Sequence, residues 1–301
     1  MEWVSLEQFR SVAVYEFFIA PADQNYLCAR WMIANEFYPE NFWQAAQAIE
    51  KYLKAGLVAN GESAVVRGKS KDHSLIAVRS RHRSIFNNFT DFTLEKPSGL
   101  ADCFWSEETL DQFLLRLDTI GSPDSRYGLM GWTTRPGDLF KLDQVVWAFR
   151  RLAVQLDATI PMEWLPDPKW ASLEGLTCRK AIELAPLFSF YGPMKELEQK
   201  VGFSPESRGE LLHAWNFSFW RASSDFQRSP TPSVAMSVGG FKNSFLVDCV
   251  REAKREGPLD PILCDGLRWM IKNIRLPNIM FNETAPFATM KAFFEDRIKR
   301  P

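Results

Sequence analysis

Apolar positions along this chain recur mostly at spacings of three and four, the signature of helices that bury one face. The clearest pair of such segments lies between Asp23 and Gly61. Over residues 21–37, Tyr26, Ala29, Ile33 and Phe37 share a face, and Asp23 stands where a carboxylate can meet the unpaired N–H groups of a helix start. After Pro39 a second helix is expected, with Glu40 in its first turn and Phe42, Ala45, Ala46, Ile49, Leu53 and Leu57 as its stripe. Asn60-Gly61 supplies a left-handed C-cap. Glu50 and Lys54 sit four apart in the favourable orientation and are expected on the outer face. Neither stripe can be buried alone, so the two helices should pack as an antiparallel pair. Ala45, Ala46 and Ala48 would let a neighbour approach closely.

Helical spacing continues downstream. Ser106 is expected to cap a helix with Glu107 and Glu108 in its first turn and a stripe of Leu110, Phe113, Leu114 and Leu117. Asp138 should cap a longer one carrying Leu139, Leu142, Val146, Phe149, Leu152 and Ala153. Further helices are predicted over residues 193–201, 207–220, 243–254 and 285–300, and one starting at Asp260-Pro261, where Asp is the N-cap and Pro the first helical residue. Strand signals are sparse, with residues 63–67 the best short candidate, and residues 87–103 read as loop. The prolines between residues 161 and 168 mark the best domain boundary, dividing the chain into 1–158 and a second helical region, 159–301. The fold class is therefore mainly α.

Composition narrows the class. A chain of 301 residues with 46% hydrophobic and 14% aromatic side chains can bury a substantial core, which argues against disorder over most of its length. A net charge of −1 gives no global attraction to nucleic acid or membrane, so any such surface must be local. The five cysteines show no Cys-x-x-Cys spacing and suit a reducing compartment as buried free thiols. With three histidines there is no cluster of metal-ligand spacing, so neither a metal nor another cofactor is expected. The amino terminus lacks a signal-peptide pattern and no stretch reaches a membrane span, so a cytoplasmic protein is expected.

The run Tyr26-x-x-Ala29-Arg30, the stretch Glu50-Lys51 with Lys54-Ala55, and His73 ahead of Leu75 resemble the HEPN family of small α-helical domains (higher-eukaryote and prokaryote nucleotide-binding). Arg126-Tyr127 resembles the pair that often opens the last part of such domains, and residues 138–155 would be the final helix. The resemblance covers about residues 20–154, with an insertion at about 79–105. It implies an antiparallel HEPN-like bundle that commonly dimerises. Some relatives are metal-independent RNases using Arg-x(4–6)-His. Others partner a nucleotidyltransferase or act as inert interaction modules, often in prokaryotic toxin–antitoxin, defence or regulatory systems.

Two pairs match that motif, Arg67 with His73 and Arg208 with His213. An arginine can grip a phosphate while a histidine moves a proton, which is the minimum for metal-free RNA cleavage. About 0.6 matches arise by chance in a chain of this composition, so the motif alone carries little weight. No histidine follows Arg126 closely or lies within 138–155, where the family places its active copy. The plain alternative is that His73 anchors the helix after it and that His213 is half-buried among Trp215, Phe217 and Phe219. Arg67, Lys69, Lys71, Arg79, Arg81 and Arg83 oppose only Asp72 and form the one charge concentration, a candidate surface for nucleic-acid backbone or an acidic protein. The leading expectation is an interaction or nucleic-acid-associated module without a standard active site. The competing one is a metal-independent RNase built on an atypical pair.

Overall fold

Ser5 opens the first helix: its side chain accepts from the N–H of Gln8 at 3.1 Å, and α1 runs over Leu6–Val14. The structure, a computed structural model, describes residues 5–34, 37, 40–65, 73–87, 89–96, 102–121, 137–162, 165, 168–185, 244–274, 276 and 289–299. A π-helical turn, Tyr15–Ile19, joins α1 to α2 (Ala20–Ala34). The extra residue in that turn shifts the buried face, so Phe9, Ala13 and Val14 precede the step and Ala22, Tyr26 and Ala29 follow it. The helix expected to start near residue 21 thus continues one that begins at Leu6. Asp23 lies inside a continuous helical run, where it cannot act as a cap.

After Phe37, α3 covers Glu40–Ala59 and ends as expected. Gly61 takes φ +84, its N–H reaches the carbonyl of Val58, and that of Glu62 reaches Leu57, which together satisfy the last carbonyls. Phe42, Ala45, Ala46, Ile49, Leu53 and Leu57 are all buried. Tyr52, late in α3, bonds Asp23, early in α2, so the two helices run antiparallel. Gly56 faces α4 (Leu75–Ile85), where an added Cβ would lie 3.0 Å from the His82 ring. Ala46 meets the end of α5 (Leu110–Ile120) at Gly121. The small residues of α3 therefore serve several neighbours. Thr109 and Gln112, which form a reciprocal capping box, start α5 in place of the expected Ser106.

Across α3 lies α6 (Gly137–Arg150), buried nearly all round. Beyond it come α7 (Cys178–Leu184), α8 (Ser244–Lys254), α9 (Pro261–Asn273) and α10 (Met290–Lys299). Asp260 caps α9 with Pro261 at the first position, as its sequence indicates. Arg297 on α10 donates to the carbonyls of Ala253, Arg255 and Gly257, closing the end of α8.

The architecture is mainly α. Among the described residues no strand forms, residues 63–65 included, and only isolated bridges pair Thr93 with Thr109 and Thr159 with Thr177. One apolar cluster takes Phe9 from α1, Leu53 from α3, Leu114 from α5 and Val146 from α6, together with Phe245, Leu267 and Phe294 from the last three helices. Residues on both sides of the expected 158/159 boundary thus share one core. A second cluster, including Phe86, Leu152, Ile160, Leu173 and Ala181, spans the boundary itself. The helices expected over 193–201 and 207–220 lie outside the described residues. Among the described residues no helix is long and apolar enough to cross a membrane.

Candidate functional site

One buried polar network lies where α2, α3 and α6 meet. Asp23, Tyr26 and Arg30 occur at spacings of three and four, so all three project from one side of α2 toward the interior. Asp143 and Arg150, seven apart on α6, face them in complementary order. The Tyr26 hydroxyl donates to Asp143, and the Arg30 Nε lies 3.1 Å from the same carboxylate. One and two turns away, Arg150 donates through Nε and an Nη to the two oxygens of Asp23, each at 2.8 Å, while Tyr52 donates to Asp23 at 2.5 Å. Asp143 and Tyr52 are fully buried.

Burial, and then the adjacent carboxylate charge, pushes both tyrosine hydroxyls well above their ordinary pKa: Asp143 acts on Tyr26 and Asp23 on Tyr52. Burial, the largest single influence, would lower Arg30, but the charges of Asp143 and Tyr26 and the hydrogen bond to Asp143 together raise it, so the guanidinium stays protonated. The ensemble is two arginine–aspartate–tyrosine groups in which each acid already holds its partners. On the outer edge, Lys51 donates to Asn25, which donates to Gln44. Such an arrangement fixes helix register and leaves no uncommitted nucleophile or base.

Each residue singled out by sequence has a different fate. His73, just before the Ser74 N-cap of α4, holds the Glu50 carboxylate through Nδ1 at 3.0 Å, and its side chain is 73% exposed. Glu50, expected outside, is instead buried, bonded by His73 and by Lys54 at 2.6 Å. Arg67, Arg208, His213, Lys69 and Lys71 lie outside the described residues, as does Arg126. Arg79 corrects the expected basic surface: it is 3% exposed, with its Nε 3.3 Å from Asp111 and an Nη donating to the Phe89 carbonyl at 3.1 Å. It turns inward because its stem shares the face of Leu75, Val78 and His82, and the rings of Phe89 and Phe149 accept its cation. Arg83 pairs with the same Asp111, and Arg81 donates to the Ser63 carbonyl at 2.5 Å with Glu62 beyond it at 3.8 Å. The charge of this helix is largely answered by neighbouring acids and carbonyls.

Sequence reasoning missed the α2–α6 network. Its signal was present in the polar residues standing on otherwise apolar faces, Asp23 and Arg30 beside Tyr26, and Asp143 beside Leu142 and Val146. Among the described residues, no group of three or more His, Cys, Asp or Glu side chains is placed to hold a metal ion. The cysteines are free thiols. Cys178 and Cys249 are buried, which pushes each up to about 12, whereas Cys103 is exposed, contrary to expectation. Comparison with protein-family models, with curated proteins and with solved structures finds no match to this chain.

Proposed function

We propose that this chain is a HEPN-like interaction module that associates with nucleic acid, or with a nucleotidyltransferase-like protein partner, and does not itself cut RNA. The observation that carries the reading is the closed α2–α3–α6 interior, where Asp23 and Asp143 are each committed to an arginine and a tyrosine. Catalysis needs a group free to meet substrate, and these carboxylates are turned inward and occupied by their arginine and tyrosine partners. The proposed setting is a prokaryotic toxin–antitoxin, defence or regulatory system, with the protein acting in the cytoplasm, alone or as a homodimer.

Purified protein incubated with end-labelled RNA in EDTA provides the test. Retarded but intact RNA at low salt, released as salt rises, supports nucleic-acid association. Metal-independent cleavage refutes the non-catalytic reading.

One observation favours a second reading. His73 is both solvent-accessible and oriented by a buried carboxylate, Glu50, which is the pairing that prepares an imidazole for proton transfer. If the protein is a metal-independent RNase, His73→Ala abolishes cleavage and Glu50→Gln reduces it strongly while the melting temperature of His73→Ala stays unchanged. Cleavage that survives His73→Ala would move attention to His213.

A further inference from the structure

Far from the α2–α6 network, α1 and the second half of α9 enclose a cleft of about 350 Å³ floored by the turn after α3. Its lining comprises Leu6 and Arg10 from α1, Gly61 from the turn, and Asp265, Arg268, Trp269, Lys272 and Asn273 from α9. Cavities of this size suit small molecules. Three cations face one carboxylate, and that carboxylate is already engaged, because Arg268 donates to Asp265 at 2.8 Å. Two positive charges are left over, on Arg10 and Lys272.

Arg10 is the unusual member. Its guanidinium lies over the Trp269 ring, 5.7 Å from the centroid, and its Nε is buried without a hydrogen-bond partner. That buried N–H is closed off from the cleft, whereas the terminal Nη groups are not buried and are the donors an anion there would meet. The Nη end of a guanidinium also presents paired donors, a geometry matched to two oxygens of one anion. Lys272 is exposed on the next turn of the same wall and adds a movable point charge. Gly61 contributes no side chain, and nothing lies within 4 Å of where its Cβ would stand, so the floor is open.

We infer that this cleft binds a small phosphate monoester, with the phosphate between Arg10 and Lys272 and the organic body against Leu6 and the rim of Trp269 that lines the cleft. The charge balance selects phosphate over carboxylate. A phosphate monoester carries about −1.5 to −2 at neutral pH, which two uncommitted cations neutralise, whereas a carboxylate leaves one unanswered. The site stands independently of the RNA reading, since it uses none of the residues in that argument.

Titration calorimetry with phenyl phosphate, inorganic phosphate and benzoate tests the inference on the full chain. Phenyl phosphate should bind at one site, more tightly than inorganic phosphate and at least about tenfold more tightly than benzoate, with affinity falling as salt rises. Lys272→Met, at an exposed position, and Arg10→Met should each weaken phenyl phosphate by about tenfold. Should Arg10→Met lower the melting temperature, Lys272→Met decides on its own. Absence of phenyl phosphate binding, benzoate binding as tightly, or affinity unmoved by Lys272→Met overturns the inference.

Discussion

Arg30 and Asp143, 113 positions apart in the chain, meet at 3.1 Å in the interior, one on α2 and the other on α6. The carboxylate is fully buried, and the guanidinium and the Tyr26 hydroxyl compensate its charge. Asp143→Asn should therefore cost about 3–5 kcal/mol, since it removes the charge that Arg30 and Tyr26 share in the interior. Tyr26→Phe removes one donor while the ion pair persists, and should cost only about 1–2 kcal/mol. Urea denaturation of both variants checks this. Equal, small losses would mean that the carboxylate is far better hydrated than its burial implies.

His82 gives a pH dependence of known sign. It is wholly buried, stacked on Phe86 at 4.1 Å and edge-on to Phe149, and neither ring nitrogen has a hydrogen-bond partner. Burial, helped by the nearby Arg79 cation, lowers its pKa from 6.5 to about 3. The unfolded chain thus binds a proton between those values that the folded chain refuses. The stabilising contribution is complete above pH 6.5, declines as pH falls toward 3, and changes no further below that. From this residue alone, stability at pH 5 should be about 2 kcal/mol below that at pH 7. His82→Leu should flatten that part of the profile in denaturant titrations at several pH values. Superimposable profiles would place the proton elsewhere.

A packing prediction concerns Gly266 on α9. A Cβ there would lie 2.6 Å from ring carbons of Phe9 on α1, so the helices touch at closest approach. Alanine normally favours a helix interior over glycine by about 1 kcal/mol. Here Gly266→Ala should instead destabilise by about 1–3 kcal/mol. Adding Phe9→Leu should recover part of the loss, because the smaller side chain makes room. A stabilising Gly266→Ala would show that residues 261–273 do not pack against α1.

How much of this was legible follows from what each signal depends on. The α3 stripe, its glycine terminus and the Asp260-Pro261 start are local patterns, and each appears where its residues place it. Asp23 was misread because a carboxylate near a proline is a good local start signal, while the π-helical turn that carries α1 into α2 leaves no period of its own. Glu50 and Lys54 form the expected pair, yet Glu50 is buried, since spacing reveals partners and not which face the rest of the chain covers. Arg79 was counted as surface charge for the same reason: Asp111, Phe89 and Phe149 come from elements distant in sequence. The Arg10 cleft depends on α1 meeting α9, a contact that no local pattern encodes.

The account rests on the α2–α3–α6 interior being a structural lock, and the Asp23–Arg150 pair tests that most directly. A double-mutant cycle with Asp23→Ala, Arg150→Ala and the double variant, measured by urea denaturation, should show each single change costing about 3 kcal/mol and a favourable coupling of about 1–3 kcal/mol. Additive losses, with no coupling between the two positions, would contradict it.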